Sequence, residues 1–205
     1  MNKLVLASSN PGKLREFRQM LAPLGIEVVP QAALGITDAP EPHETFVENA
    51  LAKARHASRA AGLPALADDS GICVAALDGA PGVVSARYAE GDGGSREEQD
   101  RRNNEKLIAE LRGTRERSAH FYCVIVLVRH AADPEPIIAE GRWHGEISEA
   151  PHGTSGFGYD PYFYVPALGM SAAELAPDVK NTVSHRGQAA RRLVELLRTE
   201  ENRAA

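Results

Sequence analysis

Cysteine is scarce in this sequence. Only 2 of the 205 residues are Cys, and neither Cys73 nor Cys123 belongs to a CxxC pair or a His/Cys cluster. Isolated thiols in apolar runs are typical of buried free cysteines, so a structural zinc site is not predicted. No apolar run is long enough for a transmembrane helix, and the apolar stretch after Met1 is too short for a signal peptide. We therefore expect a cytoplasmic chain.

Positive charge is also in short supply. The chain carries 23 Lys and Arg against 28 Asp and Glu, which gives a net charge of −5. A broad binder of nucleic acid or of anionic membranes should be basic, so we expect neither partner. Lysine is the rarer basic residue, with five positions: Lys3, Lys13, Lys53, Lys106 and Lys180.

The overall composition is that of a folded protein. Apolar residues make up 43% and charged residues 25%, which excludes disorder as a description of the whole chain. The length suits one α/β domain, or one domain with a small lobe. Apolar periodicity predicts strands at 3–7, 26–29, 64–67, 72–76, 119–129 and 163–165, one or two strands within 136–147, and helices at 11–22, 45–61, 96–111 and from 184 onward. Thr45 and Ser184 are typical N-cap residues for the second and the last of these helices, and the charged sequence of 96–111 predicts a surface helix.

The first polar segment, Ser8–Lys13, lies between a predicted strand and a predicted helix. Asn10 suits the N-cap and Pro11 the first helical position. Free backbone N–H groups and the helix dipole favour an anion there, and Lys13 adds a positive charge. The segment is not a Walker A loop, because Ala7 stands at the position of the first glycine. A phosphate site and an ordinary turn both remain open.

A second segment, Asp68–Gly71, places two carboxylates side by side at a predicted strand end. Such a pair is costly unless a positive group compensates it, and Mg²⁺ held by one or two carboxylates and substrate phosphates would do so. Neighbouring side chains of a strand point to opposite faces, so one carboxylate would reach the metal directly. The other would bind through water or act as a base. A solvated turn is the alternative.

The third segment, Ser155–Pro161, contains Phe157 between two glycines. An unobstructed aromatic ring is a stacking platform for a nucleobase. The segment matches neither a GxSxG nor a GxGxxG motif. A Gly-rich turn with Phe157 tucked into the core is the alternative.

The fourth segment, Lys180–Gly187, leads into the last predicted helix. His185 and Arg186 would occupy its first turn, where Arg donors and helix-start amides suit keto oxygens or phosphate. A structural role is the alternative for His185. Because no HExxH motif or nucleophile elbow occurs, covalent catalysis is not predicted.

Six segments in chain order resemble the inosine/xanthosine triphosphate pyrophosphatase family. They are Ser8–Lys13, Thr45–Ala54, Ala67–Gly71, Gly79–Tyr88, Gly156–Pro161 and Ser184–Gly187. The resemblance extends from Leu4 to about Leu197. It implies a long twisted mixed β-sheet flanked by helices, with two lobes around a central cleft, in a single nucleotide pyrophosphatase domain over residues 1–205. Residues 201–205 are expected to form a frayed tail.

The resemblance also implies an activity. Deaminated purine nucleoside triphosphates (dITP, ITP, XTP and dXTP) would be hydrolysed to the monophosphate and pyrophosphate by a homodimer with Mg²⁺ as cofactor. Asp69 would be the catalytic acid/base and a metal ligand, with Asp68 and Glu41 as further ligands. The implied substrate-binding residues are Ser8, Ser9, Asn10, Pro11, Gly12, Lys13, Lys53, Ser70, Phe157, Gly158, Tyr159, Asp160, Lys180, His185 and Arg186.

One position departs from the family pattern. His43 stands where the family usually has a glycine, two residues after Glu41, and Glu44 is then the fallback ligand. Two other functions remain open: a related pyrophosphatase for other modified nucleotides, and a non-catalytic nucleotide-binding module. Asp68, Asp69 and the lysines of the motif segments favour an enzyme over the binding module.

Overall fold

A seven-stranded sheet organises the chain. The computed structural model describes residues 1–91 and 94–204, with the backbone alone for 201–204, so the expected frayed tail lies outside the fully described part. The strands follow the order β2-β1-β3-β4-β5-β6-β7. They are β1 (Lys3–Leu6), β2 (Glu27–Pro30), β3 (Ala65–Val74), β4 (Ser118–Val128), β5 (Ile137–Ile147), β6 (Phe163–Val165) and β7 (Met170–Ser171). Because β1 pairs in parallel with β2 and β3, and β6 pairs antiparallel with β5 and β7, the predicted mixed sheet is confirmed.

Short-range capping determines where the helices begin. The helices are α1 (Pro11–Leu21), α2 (Phe46–Ala61), α3 (Arg96–Glu110), α4 (Pro177–Val183) and α5 (His185–Ala204). The predicted caps Asn10, Thr45 and Ser184 each accept a backbone N–H of the helix that follows. In the residues that the structure describes, no helix has both the length and the apolarity needed to cross a bilayer.

The prediction that residues 68–71 interrupt a strand is wrong. β3 runs without a break from Ala65 to Val74 and carries Asp68 and Asp69 in its middle, 2% and 9% exposed. A strand can keep two acidic residues away from water when cations are supplied by other elements. Local sequence does not reveal such cations.

The chain divides into two compact units. The first comprises residues 1–69, 123–141 and those from 188 onward. On one face of its strands, alternate residues such as Leu4 and Leu66 pack with Phe17 of α1 and Leu193 of α5. The intervening residues, among them Ala67, are buried too. The strand alternation therefore assigns Asp68 to the face packed by α1, and Asp69 to the opposite face.

The second unit comprises residues 70–122 and 142–187 and has an aromatic core. The Phe163 ring lies 4.6 Å from that of Phe121 and 5.2 Å from that of Trp143, between ring centroids. The prediction that α3 is a surface helix is wrong on one face, because Asn103, Asn104 and Leu107 are buried.

Candidate active site

Two lysines compensate the adjacent carboxylates of β3. Lys53 Nζ of α2 lies 2.9 Å from Asp69 Oδ1 and 2.8 Å from Glu41 Oε1. Lys13 Nζ of α1 lies 2.7 Å from Asp68 Oδ2. The two carboxylates use different helices, as the alternation of strand side chains requires. We call these five residues the carboxylate–lysine cluster.

Burial alters the protonation of this cluster. Burial is the largest effect on the pKa of Asp69 and raises it; Lys53 opposes the shift, and the charges of Glu41 and Asp68 add to it. Burial works against the ammonium of Lys53, but Asp69 and Glu41 outweigh it and raise the pKa of Lys53. The cluster thus combines a permanent cation with a carboxylate whose raised pKa makes it a stronger proton acceptor.

Glu41 reaches the cluster although His43 replaces the usual glycine. The Asn49 side chain, 1% exposed, accepts from His43 N and donates to His43 O, both at 3.1 Å. His43 has no positive φ, so its backbone does not need a glycine. The structure therefore places Glu41 beside Lys53, whereas the fallback ligand Glu44 is exposed.

The donor set of the cluster suits a hard cation. Asp69 Oδ2 is buried and accepts no hydrogen bond from the described residues. In residues 1–91 and 94–204, no three His, Cys, Asp or Glu side chains form a metal-binding group. One or two carboxylates completed by substrate phosphates form the usual Mg²⁺ site, and the carboxylate oxygens of Asp69 and Glu41, which share the contact with Lys53, have the chemistry that such a site needs.

Several polar groups of the segment Ser8–Lys13 already have hydrogen-bond partners, within the segment and at Asp38. Asn10 Oδ1 accepts from Gly12 N at 2.8 Å and Lys13 N at 3.3 Å. Asn10 N donates to Ser8 Oγ, and Ser9 Oγ donates to Asp38 Oδ1 at 2.8 Å. Pro11 has no N–H to offer. The charge available to an anion here is therefore that of Lys13.

Lys13→Ala is expected to weaken both substrate binding and folding. The change removes a cation from Asp68, whose side chain is 1% exposed. Breaking a buried ion pair costs about 3 kcal/mol or more, and the partial exposure of Lys13 reduces this value. We expect a higher KM for dITP and a lower Tm, with Arg15→Ala on the same helix as control. Unchanged KM and Tm would place Lys13 outside the site.

Phe157 is exposed rather than buried in the core. Its ring is 51% exposed, and Lys180 Nζ lies 5.4 Å from the ring centroid. Asp160, 4% exposed, accepts from Phe157 N at 2.8 Å and pairs with Lys180. Gly156, with φ +82°, leaves no room for a Cβ beside the Asp160 carboxylate. We call Phe157, Asp160 and Lys180 the Phe157 platform; the interpretation of Phe157 as a core residue is wrong.

Tyr159 of the same segment turns inward. Its side chain is 4% exposed and its hydroxyl donates to Ser85 O at 2.8 Å. Burial raises the pKa of Tyr159, so the hydroxyl stays protonated as a donor. The Tyr159 side chain therefore supports the loop from inside, and its contact with the substrate stays a prediction. Ser70, another predicted contact, is half-buried on β3.

His185 and Arg186 lie at the start of α5, as predicted. The His185 ring stacks on Phe121 with centroids 4.8 Å apart and an interplanar angle of 12°. Ser184 caps this turn by accepting from Gly187 N. Arg186 is half-buried. Stacking on Phe121 thus holds the plane of the His185 ring, and the cap fixes the backbone turn that carries it.

Residues of α3 contact the Phe157 segment, and sequence reasoning missed them. Arg96 Cζ lies 5.2 Å from the Phe157 centroid, Asp100 accepts from Gly158 N, and Asn104 donates to Gly158 O. One signal was present: consecutive asparagines inside a helix are unfavourable unless their side chains bond elsewhere.

Comparison with known proteins identifies the family of the chain. A dITP/XTP pyrophosphatase of Ralstonia nicotianae is 64% identical over 202 residues, covering 98% of this chain and 100% of that protein. One of Nitrosomonas europaea is 61% identical, covering 98% and 97%. The structure of a HAM1 protein from Coxiella burnetii matches with a TM-score of 0.92 and 47% identity, covering 97% and 100%. The Ham1 family model matches residues 4–196. The chain therefore belongs to the Ham1 family.

Proposed function

We propose that this chain hydrolyses dITP, ITP, XTP and dXTP to the monophosphate and pyrophosphate. The observation that carries the proposal is the contact of Asp69 with Lys53, a buried carboxylate held against an ammonium at 2.9 Å. Relatives named dITP/XTP pyrophosphatase that match over nearly the whole chain support the substrate class.

The carboxylate–lysine cluster performs the chemistry. Lys13 and Lys53 exchange their carboxylate partners for phosphate oxygens and bind the triphosphate. Asp69 accepts the proton of the water that attacks the α-phosphorus. Asp69, Asp68 and Glu41 would hold Mg²⁺, which would supply charge compensation for the pyrophosphate leaving group. Ser8, Ser9, Asn10 and Gly12 form the surrounding turn.

The Phe157 platform binds the base. The exposed ring stacks on the purine, and Asp160 holds the Phe157 N–H and Lys180 in place. Donors at His185 and Arg186 pair with the 6-keto oxygen of hypoxanthine or xanthine. Adenine carries an amino group at this position, so it leaves these donors unpaired and is rejected.

We also propose a homodimer and a single pyrophosphatase domain over residues 1–205. Both rest on the family resemblance of the six sequence segments. Light scattering of the purified chain measures the assembly state.

Pyrophosphate release from dITP and dGTP, each with Mg²⁺ and with EDTA, tests the function. We expect dITP to be preferred by about 10²-fold in kcat/KM, and EDTA to abolish release because the leaving group then lacks charge compensation. Faster turnover of dUTP or of methylated nucleotides would instead favour the related pyrophosphatase. Nucleotide binding without release would favour the non-catalytic module.

A further inference from the structure

Helix α3 has buried polar side chains, although its highly charged sequence is typical of a solvent-exposed helix. Asn104 is 7% exposed, and its Nδ2 donates to Gly158 O at 2.9 Å, 54 residues away in the chain. Asp100, one turn earlier, accepts from Gly158 N at 2.8 Å. Burying an amide nitrogen is unfavourable unless its hydrogen bonds are made, so the contact with Gly158 O compensates the burial of Asn104 Nδ2.

Both polar backbone groups of Gly158 are therefore held by one helix. Gly158 has φ +62°, a left-handed conformation that favours glycine. The preceding N–H, that of Phe157, donates to Asp160 Oδ2. Three hydrogen bonds thus fix the backbone on either side of a ring that is itself 51% exposed. An anchored backbone beneath an exposed aromatic ring is an arrangement that packing alone does not require.

We propose that Asp100 and Asn104 are positioning residues that hold the Phe157 ring in the orientation in which it stacks on the base. The inference rests on the proposed function, because it assumes that Phe157 binds the purine. A ring that already has its bound orientation stacks on the base more tightly, because no binding free energy is lost in ordering the ring. Loss of the anchor therefore raises KM for nucleotides and leaves kcat, which depends on the carboxylate–lysine cluster, nearly unchanged.

The test compares Asp100→Ala, Asp100→Asn and Asn104→Ala with Glu105→Ala as matched control. Glu105 is exposed on α3 and forms an ion pair with Arg101. We expect KM for dITP to rise about tenfold in Asp100→Ala and Asn104→Ala, equivalent to about 1.4 kcal/mol, with kcat within about twofold. Asp100→Asn keeps an oxygen acceptor for Gly158 N and restores KM, and Glu105→Ala leaves KM unchanged.

A double variant separates positioning from general stability. If Asp100 acts through the ring, Asp100→Ala does not raise KM further in Phe157→Ala. The effects of two substitutions on KM do not add when one residue acts through the other. Thermal melting shows which variants remain folded. The positioning role is wrong if Asp100→Ala lowers Tm but leaves KM unchanged. It is also wrong if the increase in KM of the double variant equals the combined increases of the two single variants.

The same measurements distinguish failure of this proposal from failure of the base platform. If Phe157→Ala raises KM and the Asp100 and Asn104 variants do not, the platform stands and the positioning role is wrong. If Phe157→Ala itself leaves KM unchanged, the base-stacking role of Phe157 is wrong and the inference falls with it.

Discussion

Asp69→Asn is expected to lower kcat for dITP by about 10²–10⁴-fold, the usual contribution of a positioned proton acceptor. Asparagine has nearly the size of aspartate but cannot take up the proton of the attacking water. It is also a poorer ligand for Mg²⁺ than a carboxylate. Lys13 and Lys53 remain, and Lys53 keeps Glu41 at 2.8 Å. We therefore expect the variant still to bind the triphosphate.

Two measurements check this expectation: pyrophosphate release gives kcat, and calorimetric titration gives the Kd for dITP. Asp78→Asn is the control, because Asp78 is exposed and its φ of +50° is one that asparagine tolerates. Pyrophosphate release near the wild-type rate in Asp69→Asn would show that another group accepts the proton.

Lys53→Met is expected to reduce kcat/KM for dITP by about 10²-fold, through loss of a cation at the transferred phosphate. The substitution should also move the acid limb of the pH profile of kcat/KM to higher pH. Lys53 is the group that lowers the pKa of Asp69, whereas burial and the charges of Glu41 and Asp68 raise it. Without Lys53 the pKa of Asp69 rises further, so the active, unprotonated form is lost earlier as the pH falls.

The stability of Lys53→Met should also depend on pH. A carboxyl group whose pKa is raised by folding stabilises the protein while it is protonated, and that contribution is lost as the pH rises through the folded pKa. We expect the Tm of the variant to recover toward that of the wild type as the pH is lowered. Arg59→Met, on the exposed side of the same helix, is the control. If the acid limb of the pH profile does not shift in Lys53→Met, Lys53 does not control the pKa of Asp69.

Local rules predicted the helix starts because each depends on residues only two or three positions apart. Asn10, Thr45 and Ser184 cap their helices through such contacts. The six segments likewise indicated the family that the comparisons confirm. What could not be predicted was the environment of particular side chains: β3 continues through Asp68 and Asp69, and Tyr159 turns into the core.

Distance along the chain explains these errors. Asp69 meets Lys53 across 16 residues, Tyr159 meets Ser85 across 74, and Asn104 meets Gly158 across 54. No periodicity or spacing rule reports a partner so far away. The sequence therefore predicted an interruption of β3 at its two acidic residues and a solvent-exposed surface for the whole of α3.

The sequence by itself determined the helix caps through local propensity and indicated the family through motif order, and the resemblance to that family implied the mixed sheet. It also showed that lysine is rare and that Lys13, Lys53 and Lys180 fall within motif segments. Only the tertiary structure decided their partners: Asp68 for Lys13, Asp69 and Glu41 for Lys53, and Asp160 for Lys180. Each pair joins groups that are distant in the chain, so folding and not the local sequence sets which lysine meets which carboxylate.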